Sequence, residues 1–256
     1  MLVAAAVCPC PPLLVPEVAT GASAELDTLR AACADAIGVL AASRPERLVV
    51  VGPVERSGHG VFAQGSAGSF RSFGVPLDVT LGRPPDTSAG GLEAVAPTAA
   101  GPEDAVTADG DRPLPQSLAI AGWLLRGWSA APVEGLGVGE RWEQERCAAT
   151  GQAVAGSAAR VALLVMGDGS ACRTVKAPGY LDERAEPFDT VVAAALAAAD
   201  TRALAALDPE LAGALKVAGR APWQVLAGAA DGAGLGGDLL HETAPYGVAY
   251  YVATWT

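Results

Sequence analysis

The apolar run from Arg160 to Met166 limits the possible folds of this chain more than any other feature. Its residues, Arg-Val-Ala-Leu-Leu-Val-Met, form the strongest strand pattern in the sequence, and an unbroken apolar run of this length is typical of a strand buried on both faces. It leads directly into Gly167-Asp-Gly-Ser170. Because ligands of open α/β sheets bind beyond the carboxyl ends of strands, we expect a functional loop there.

Two further runs predict buried parallel strands, Leu2 to Val7 and Arg47 to Val51, each ending at a turn that contains Pro or Gly. The segment 24–42 between them predicts one helix. Its apolar residues recur at spacings of three and four, which predicts a stripe that faces the core: Leu26, Leu29, Cys33, Ile37 and Leu40. The three elements form a β-α-β unit, whose crossover we expect to be right-handed.

Strands and helices alternate through the rest of the chain. The pattern predicts an edge strand at 75–81, a weak strand at 133–138 and a last strand at 248–254. It predicts a helix at 114–128 and a polar helix that follows the weak strand and ends at about 155. Further helices are predicted at 188–198, 201–206, 209–217 and 222–230. The segment 83–112, rich in Pro, Gly, Ala and Asp, predicts a mobile surface insertion. We therefore expect one α/β domain over 1–256, with a mixed or mostly parallel central sheet and helices on both faces.

Charge and cysteine usage restrict the partners and the compartment. The net charge of −11 and the pI near 4.6 argue against nucleic acid or an anionic membrane as a partner. Five cysteines without regular spacing fit reduced thiols rather than a disulfide framework, and no apolar run approaches the roughly 20 residues that span a bilayer. Leu2 to Val7 is short and has no basic segment before it, so we interpret it as a strand and expect a cytoplasmic protein.

Chemically useful side chains lie just after several predicted strands. They are Cys8, Cys10, Val54, His59, Asp168, Ser170 and Cys172, and the pair His241 and Glu242 precedes the last strand. The C-x-C pair could ligate a soft metal or supply a nucleophile, yet no second pair at zinc spacing accompanies it, and small buried thiols also fill cores. Cys172 could face Cys10 across the pocket, and His59 could join both in a metal site.

Each remaining candidate has a structural alternative. His59 fits an exposed loop, and His241 with Glu242 fits a surface pair, although Glu242 is the best single carboxylate. Asp168 fits a turn cap. Arg220, just ahead of a predicted helix, could bind an anion or form a surface ion pair. The aromatic residues near the C-terminus are most simply core: Trp223, Tyr246 and Tyr250.

Four stretches in order resemble the class III extradiol dioxygenase B-subunit superfamily, the LigB-like and MEMO proteins. Cys10-Pro-Pro-Leu-Leu-Val-Pro-Glu17 resembles the family's opening His-Pro-Pro-aliphatic-Pro-Glu, and Val49-Val-Val-Gly-Pro-Val54 its strand ending in Ser-Pro-His. Gly167-Asp-Gly-Ser-Ala171, with Ala177-Pro-Gly-Tyr180 and Glu186-Pro-Phe-Asp189, resembles its Gly-Asp-Leu-Ser-His segment with the downstream Ala-Pro-x-x-Tyr and Phe-Asp. Gly219-Arg-Ala-Pro-Trp223, Leu226-Ala-Gly228 and Pro245-Tyr-Gly-Val-Ala-Tyr250 resemble its Cys-Gly-x-x-Pro helix and closing Pro-Tyr-Gly-Val-Gly-Tyr.

The resemblance implies a LigB-like fold, and in that family two histidines and a carboxylate hold Fe(II) while another histidine serves as acid/base. Matched residue by residue, the two histidine ligand positions fall on Cys10 and Val54, and the acid/base position falls on Ala171. The carboxylate position has two candidates, Asp238 and Glu242. Valine cannot coordinate a metal and alanine cannot transfer a proton, so the resemblance implies the fold without the family's iron site.

These residues leave three functional hypotheses open. The first is a pseudoenzyme without a cofactor that binds a small molecule or a protein partner in the inherited cleft. The second is an active enzyme, either an extradiol-type oxidoreductase with a relocated metal site drawn from His59, His241, Glu242 and Cys10, or a thiol-dependent enzyme that uses Cys10 or Cys172, with Asp168 and Ser170 as further catalytic candidates. The third is a subunit of a homo-oligomer or of a two-chain oxygenase. The shared candidate pocket is Cys8, Cys10, Val54, His59, Asp168, Ser170, Ala171, Cys172, Arg220 and Glu242.

Overall fold

The computed structural model describes residues 1–21, 23–55, 58–84 and 112–256. Its strands are β1 (Leu2–Cys8), β2 (Arg47–Val54), β3 (Gly60–Phe62), β4 (Ala67–Ser69), β5 (Asp78–Thr80), β6 (Val133–Gly139), β7 (Val161–Met166), β8 (Gly237–Thr243) and β9 (Tyr250–Trp255). Its α-helices are α1 (Asp27–Ala42), α2 (Gln116–Leu124), α3 (Gln144–Ala155), α4 (Ala185–Ala198), α5 (Thr201–Ala205), α6 (Pro209–Ala214) and α7 (Arg220–Ala230).

Seven strands form one mixed sheet in the order β3-β6-β2-β7-β1-β9-β8, and β4 pairs with β5 in a separate hairpin. The four strands β6, β2, β7 and β1 are parallel. The outer strands β3, β9 and β8 each run antiparallel to their inner neighbour. The predicted mixed α/β sheet is therefore confirmed, with β7 at its centre.

Helices cover both faces of the sheet because alternate side chains of each inner strand point to opposite layers. Leu163 packs in the layer that holds α3 to α7, whereas Leu164 packs in the layer that holds α1 and α2. All six residues of β7 are buried, which explains its unbroken apolar sequence. The predicted helices on both faces are thus confirmed.

The chain leaves β1 and β7 in opposite directions, and this positions the candidate site. After β1 it passes into α1, whose Leu29 and Cys33 pack in one layer. After β7 it passes into α4, whose Phe188 and Val192 pack in the other layer. Where neighbouring parallel strands diverge in this way, a crevice opens at their carboxyl ends, and ligands of such sheets bind there. We call this space the β1–β7 crevice.

Strand β8 is the main element that the sequence pattern missed. It lies at the sheet edge and pairs with β9 alone, with an irregular register between Leu239 and His241. Its side chains alternate between half-buried and exposed, so it has no apolar run. Strand β2 extends three residues beyond its predicted end, to Val54, and the predicted helix at 114–128 is limited to Gln116–Leu124.

Two other expectations have partial counterparts. Within the predicted edge strand at 75–81, only Asp78–Thr80 is a strand, and it pairs with β4 rather than with the central sheet. Nearly all of the predicted insertion at 83–112 lies outside the described residues. Within the part of the chain that is described, no helix is both long enough and apolar enough to cross a bilayer.

We predict that Gly228→Ala destabilises the fold by about 1 to 3 kcal/mol or more, because an added methyl group overpacks the contact between α3 and α7. A Cβ at Gly228 would lie 2.3 Å from the carbonyl oxygen of Ala148. The matched control is Gly38→Ala on the exposed side of α1, where a Cβ meets nothing within 4 Å and should stabilise by about 0.5 to 1 kcal/mol. Urea unfolding of both variants measures the difference, and equal effects would contradict the packing.

Candidate functional site

A row of residues crosses the carboxyl edge of the sheet at the β1–β7 crevice. Continuing the β1–β7 register two residues past Cys8 and Met166 brings Cys10 opposite Asp168, and the β2–β7 register brings Val54 to the other side of Asp168. The β1–β9 register, continued in the same way, brings Tyr250 opposite Cys10. Asp168 is therefore flanked by the two positions at which the resemblance expects histidines.

The backbone amide of Cys10 donates a hydrogen bond of 2.7 Å to Oδ1 of Asp168. The sequence suggested a cap within the turn itself, but this bond joins the loops after β1 and β7, which are 158 residues apart in the chain. The Asp168 carbonyl also accepts a bond of 2.9 Å from the Gly219 amide at the start of α7. Asp168 thus holds three segments together at the crevice.

Burial raises the pKa of the Asp168 carboxyl to about 7, although the Cys10 amide acts to lower it. Removing a carboxylate from water disfavours its charged form, and here only one hydrogen bond compensates. The side chain is half-buried, so it is still reachable from solvent. A carboxyl that titrates near neutrality in a crevice is a physical mark of a functional site.

The Cys10 thiol is buried, and its pKa lies well above the usual value because of burial, with further increases from Asp168 and Glu140. These contributions place Glu140, which comes directly after β6, within electrostatic reach of the same thiol. The pKa of Glu140 is itself raised by burial of its carboxyl and by Glu55, which comes directly after β2. Carboxyl groups therefore gather along the edge from β6 to β7.

Tyr250 borders the crevice on its other side. Its side chain is 97% buried, with a relative exposure of 3%, and burial raises its pKa, with further increases from Asp168 and Cys10. The described residues offer its hydroxyl no hydrogen-bond partner, and the hydroxyl is not among the fully enclosed unpaired groups. Tyr250 therefore presents an unpaired hydroxyl to the crevice from an otherwise buried ring.

Cys8 takes part in the core rather than the crevice. It is fully buried in the α1 layer, and a hydrogen bond with the Cys33 thiol, together with burial, raises its pKa well above the usual value. Val54 and Ala171 are buried apolar residues at their expected positions, with relative exposures of 4% and 8%. Cys8, Val54 and Ala171 therefore contribute shape and not chemistry.

Ser170 belongs to a buried structural network around Asp189. Its amide and hydroxyl donate to the Asp189 carboxylate at 2.9 and 2.5 Å, and Arg173 donates to the same carboxylate at 3.3 Å. The Tyr251 hydroxyl donates to the Asp189 carbonyl at 3.2 Å. Ser170 is fully buried, so it fixes the loop after β7 and has no free hydroxyl for catalysis.

Cys172 and Cys10 do not share a pocket. Cys172 packs in the layer of α3 to α7, and Cys10 packs in the layer of α1 and α2. The Cys172 thiol donates to the Leu215 carbonyl at 3.5 Å, and burial raises its pKa. The expectation that these thiols face each other is therefore wrong, because the loop after β7 turns into the opposite layer.

Arg220 is buried and acts within the protein. Its guanidinium donates to the backbone carbonyls of Glu140 and Trp142 and to the Gln224 side chain, the last at 3.0 Å. Gln224 in turn donates to the Leu207 carbonyl at 3.1 Å. Arg220 therefore fixes the loop after β6 against α7, which is neither of the roles that the sequence suggested.

His59 and His241 lie at opposite edges of the sheet. His59 directly precedes β3, with its ring 6.4 Å from the Trp142 ring, whereas His241 and the exposed Glu242 lie on β8. Six strand spacings of about 4.8 Å each separate the two edges, or roughly 29 Å. The relocated metal site drawn from His59, His241 and Glu242 is therefore excluded, because no single ion spans that distance.

The side chains at the crevice do not fit the ferrous iron that the resemblance implies. Val54 has no donor atom and the raised pKa of Cys10 keeps its thiol protonated, so neither can join the Asp168 carboxyl as a ligand. Iron prefers imidazole and carboxylate ligands, and a thiol binds as thiolate. Among the described residues, no three His, Cys, Asp or Glu side chains lie close enough to hold a metal.

Sequence reasoning missed Glu140 and the role of Tyr250. Glu140 comes after β6, Val-Glu-Gly-Leu-Gly-Val-Gly139, whose three glycines weaken its strand pattern, so the sequence does not single out the residue that follows it. Tyr250 is a core residue by burial, as expected, and only the β1–β9 register brings it next to Cys10. The position of Glu140 directly after a strand was a sequence signal that could have identified it. No sequence feature pointed to Tyr250 as a residue of the crevice.

Comparison with known proteins supports the architecture. The sequence matches no known family model and no curated protein. The structure is similar to the crystal structure of an uncharacterized protein from Escherichia coli K12, with a TM-score of 0.53 and 15% sequence identity over 99% of each chain. At this identity the similarity shows a shared fold and nothing about activity.

We predict that Asp168→Asn makes the protein more stable than wild type at about pH 8 and equally stable at about pH 4. Because the folded pKa of Asp168 is raised to about 7, the folded state keeps a proton that the unfolded state loses above about pH 4. Wild-type stability should therefore fall between about pH 4 and 7, by at most about 4 kcal/mol. Asn cannot ionise and still accepts the Cys10 amide.

Urea unfolding of wild type and Asp168→Asn across this pH range isolates the contribution of Asp168 to the free energy of unfolding, because both proteins share all other carboxylates. A difference that does not change with pH would contradict the burial of the Asp168 carboxyl.

We also predict that the thiols are unreactive in the folded protein. All five cysteines are buried and free, and the pKa values of Cys10 and Cys172 are raised, so little thiolate exists at neutral pH. A thiol-specific chromogenic reagent at about pH 7.5 should label less than one thiol per chain, and all five in denaturant. Rapid labelling of native Cys10, lost in Cys10→Ser and kept in Cys172→Ser, would contradict this.

Proposed function

We propose that this protein is a pseudoenzyme with the LigB-like fold, which binds a small molecule in the β1–β7 crevice and does not cleave rings with oxygen. The observation that carries the proposal is the hydrogen bond from Cys10 to Asp168 in the row across the carboxyl edge. Tyr250 lies within electrostatic reach of both, and Val54 is aligned beside them when the β2–β7 register is continued. Polar binding groups remain in this row where the resemblance expects iron ligands. A crevice of this kind suits a small molecule better than a protein partner, because its polar groups are recessed between loops.

Ring cleavage is disfavoured by the chemistry of the side chains in this row. Ring-cleaving iron needs nitrogen donors and open positions for the substrate and dioxygen, together with a group that moves a proton. Alanine at 171 and valine at 54 supply neither a metal ligand nor a proton carrier, and both are buried. A shared fold alone is therefore no evidence of oxygenase activity.

A thiol-dependent reaction is also disfavoured. A cysteine nucleophile needs a lowered pKa, which a neighbouring cation or a helix N-terminus usually provides. Burial raises the pKa of the Cys10 thiol, and the nearby carboxylates of Asp168 and Glu140 raise it further. The Cys172 thiol donates a hydrogen bond to the Leu215 carbonyl within the core.

The test is anaerobic loading with ferrous ammonium sulfate, desalting, and measurement of bound iron and of oxygen uptake with catechol. We expect iron far below one atom per chain and oxygen uptake equal to that without protein. Cys10→Ser provides the informative variant, since Cys10 occupies the first ligand position, and Cys172→Ser is the matched control. Both should behave as wild type.

One iron per chain with catechol-dependent oxygen uptake would overturn the proposal. Loss of that iron in Cys10→Ser, with retention in Cys172→Ser, would place the metal at the crevice and revive the oxygenase hypothesis.

A further inference from the structure

The polar groups of the β1–β7 crevice are all hydrogen-bond acceptors or can act as acceptors. We propose that the crevice binds the ammonium group of a small primary amine, held by the Asp168 carboxyl and the Tyr250 hydroxyl. This inference rests on the proposed function and names the class of its ligand.

The unpaired hydroxyl of Tyr250 is the first observation. Tyr250 has a relative exposure of only 3%, its hydroxyl has no partner among the described residues, and this hydroxyl is not fully enclosed, so an outside molecule can reach it. The register places Tyr250 opposite Cys10, and Cys10 binds Asp168. The hydroxyl and the carboxyl therefore border the same space.

The second observation is the free oxygen of Asp168. The Cys10 amide occupies Oδ1, and within the described part of the chain Oδ2 accepts no hydrogen bond and Asp168 forms no ion pair. Removing an ionised carboxylate from water without a cationic partner is unfavourable in free energy, and this desolvation raises the pKa of Asp168 to about 7. A bound cation would offset that desolvation.

The charges at the crevice favour a cation over an anion. Glu140 and Glu55 lie further along the same edge, after β6 and β2, and Glu140 acts electrostatically on Cys10, whose amide binds Asp168. Of the nearby cations, Arg220 directs its guanidinium to backbone carbonyls and Arg141 is exposed at the rim. An anionic ligand would be repelled by these carboxylates, whereas an ammonium group can donate hydrogen bonds to the Asp168 carboxyl and the Tyr250 hydroxyl.

An ammonium group also fits better than a metal ion. Calcium and magnesium take six or more oxygen ligands, and no cluster of three metal-binding side chains occurs in the described ranges. An ammonium group can bind through the two acceptors present, the Asp168 carboxyl and the Tyr250 hydroxyl, with water at its remaining N–H. The number of acceptors at the site, as well as their charge, therefore favours an ammonium group over a metal ion.

Binding of the amine should strengthen as the pH rises through the pKa of Asp168. An ammonium group binds the ionised carboxyl, so apparent affinity depends on the ionised fraction of Asp168. With a pKa of about 7, that fraction rises from about a tenth at pH 6 to about nine tenths at pH 8. The groups that face Asp168 in this range are Cys10, Tyr250 and Glu140, and the raised pKa values of the first two keep them neutral.

The experiment uses benzylamine as the probe, with benzyl alcohol and benzoate as neutral and anionic probes of the same shape. Amide NMR spectra monitor the titration, and the Cys10 amide is the reporter because it donates to Asp168. We expect saturable binding of benzylamine that strengthens about tenfold from about pH 6 to about pH 8, and weaker binding of the other two probes.

Three variants test the residues. Asp168→Asn should weaken benzylamine binding about tenfold at about pH 8 and abolish its pH dependence, and Tyr250→Phe should weaken it severalfold without changing that dependence. Tyr180→Phe is the matched control, since Tyr180 is 65% exposed on another loop and should bind as wild type. Urea unfolding checks that each variant folds, and Asp168→Asn remains decisive if Tyr250→Phe does not.

Absence of benzylamine binding, or binding that Asp168→Asn leaves unchanged, would overturn the inference. Equal or tighter binding of benzyl alcohol with the same variant effects would overturn the amine class and leave a binding protein without oxygenase activity. Failure of that broader proposal is recognised separately, by iron loading and oxygen uptake.

Discussion

One hydrogen bond, from the Cys10 amide to the Asp168 carboxyl, joins the ends of the two strands on which the crevice depends. Strands β1 and β7 are neighbours in the sheet, and the chain leaves them toward opposite layers. Without a link between the two loops, this divergence would leave the carboxyl edge open and hydrated. The link keeps a carboxyl half-buried beside a thiol and a buried tyrosine, and that environment sets its chemistry.

Buried networks on either side hold this arrangement in place. On one side, Ser170 and Arg173 bind Asp189 and fix the loop after β7. On the other, Arg220 binds two carbonyls of the loop after β6 and anchors it to α7. The strongest polar interactions near the crevice are therefore structural, and few groups remain available for a ligand.

The sequence predicted the sheet class because the inner strands are buried on both faces, which leaves long apolar runs such as Val161–Met166. It missed β8 because an edge strand needs no such run. At the candidate site, the position of Asp168 directly after a central strand was sufficient to predict it as a site residue. The separation of Cys10 from Cys172, and of His59 from His241, depends on layer and strand order, which spacing along the chain does not encode.

The central claim is that the β1–β7 crevice holds the Asp168 carboxyl partly out of water and that no cation among the described residues pairs with it. Carbon-13 NMR of carboxyl-labelled aspartate, with Asp168→Asn to assign the signal, measures its titration directly in the protein alone. We expect a midpoint near pH 7. A midpoint close to the ordinary aspartate value, about 4, would show a solvated or paired carboxyl and would contradict the crevice described for this protein.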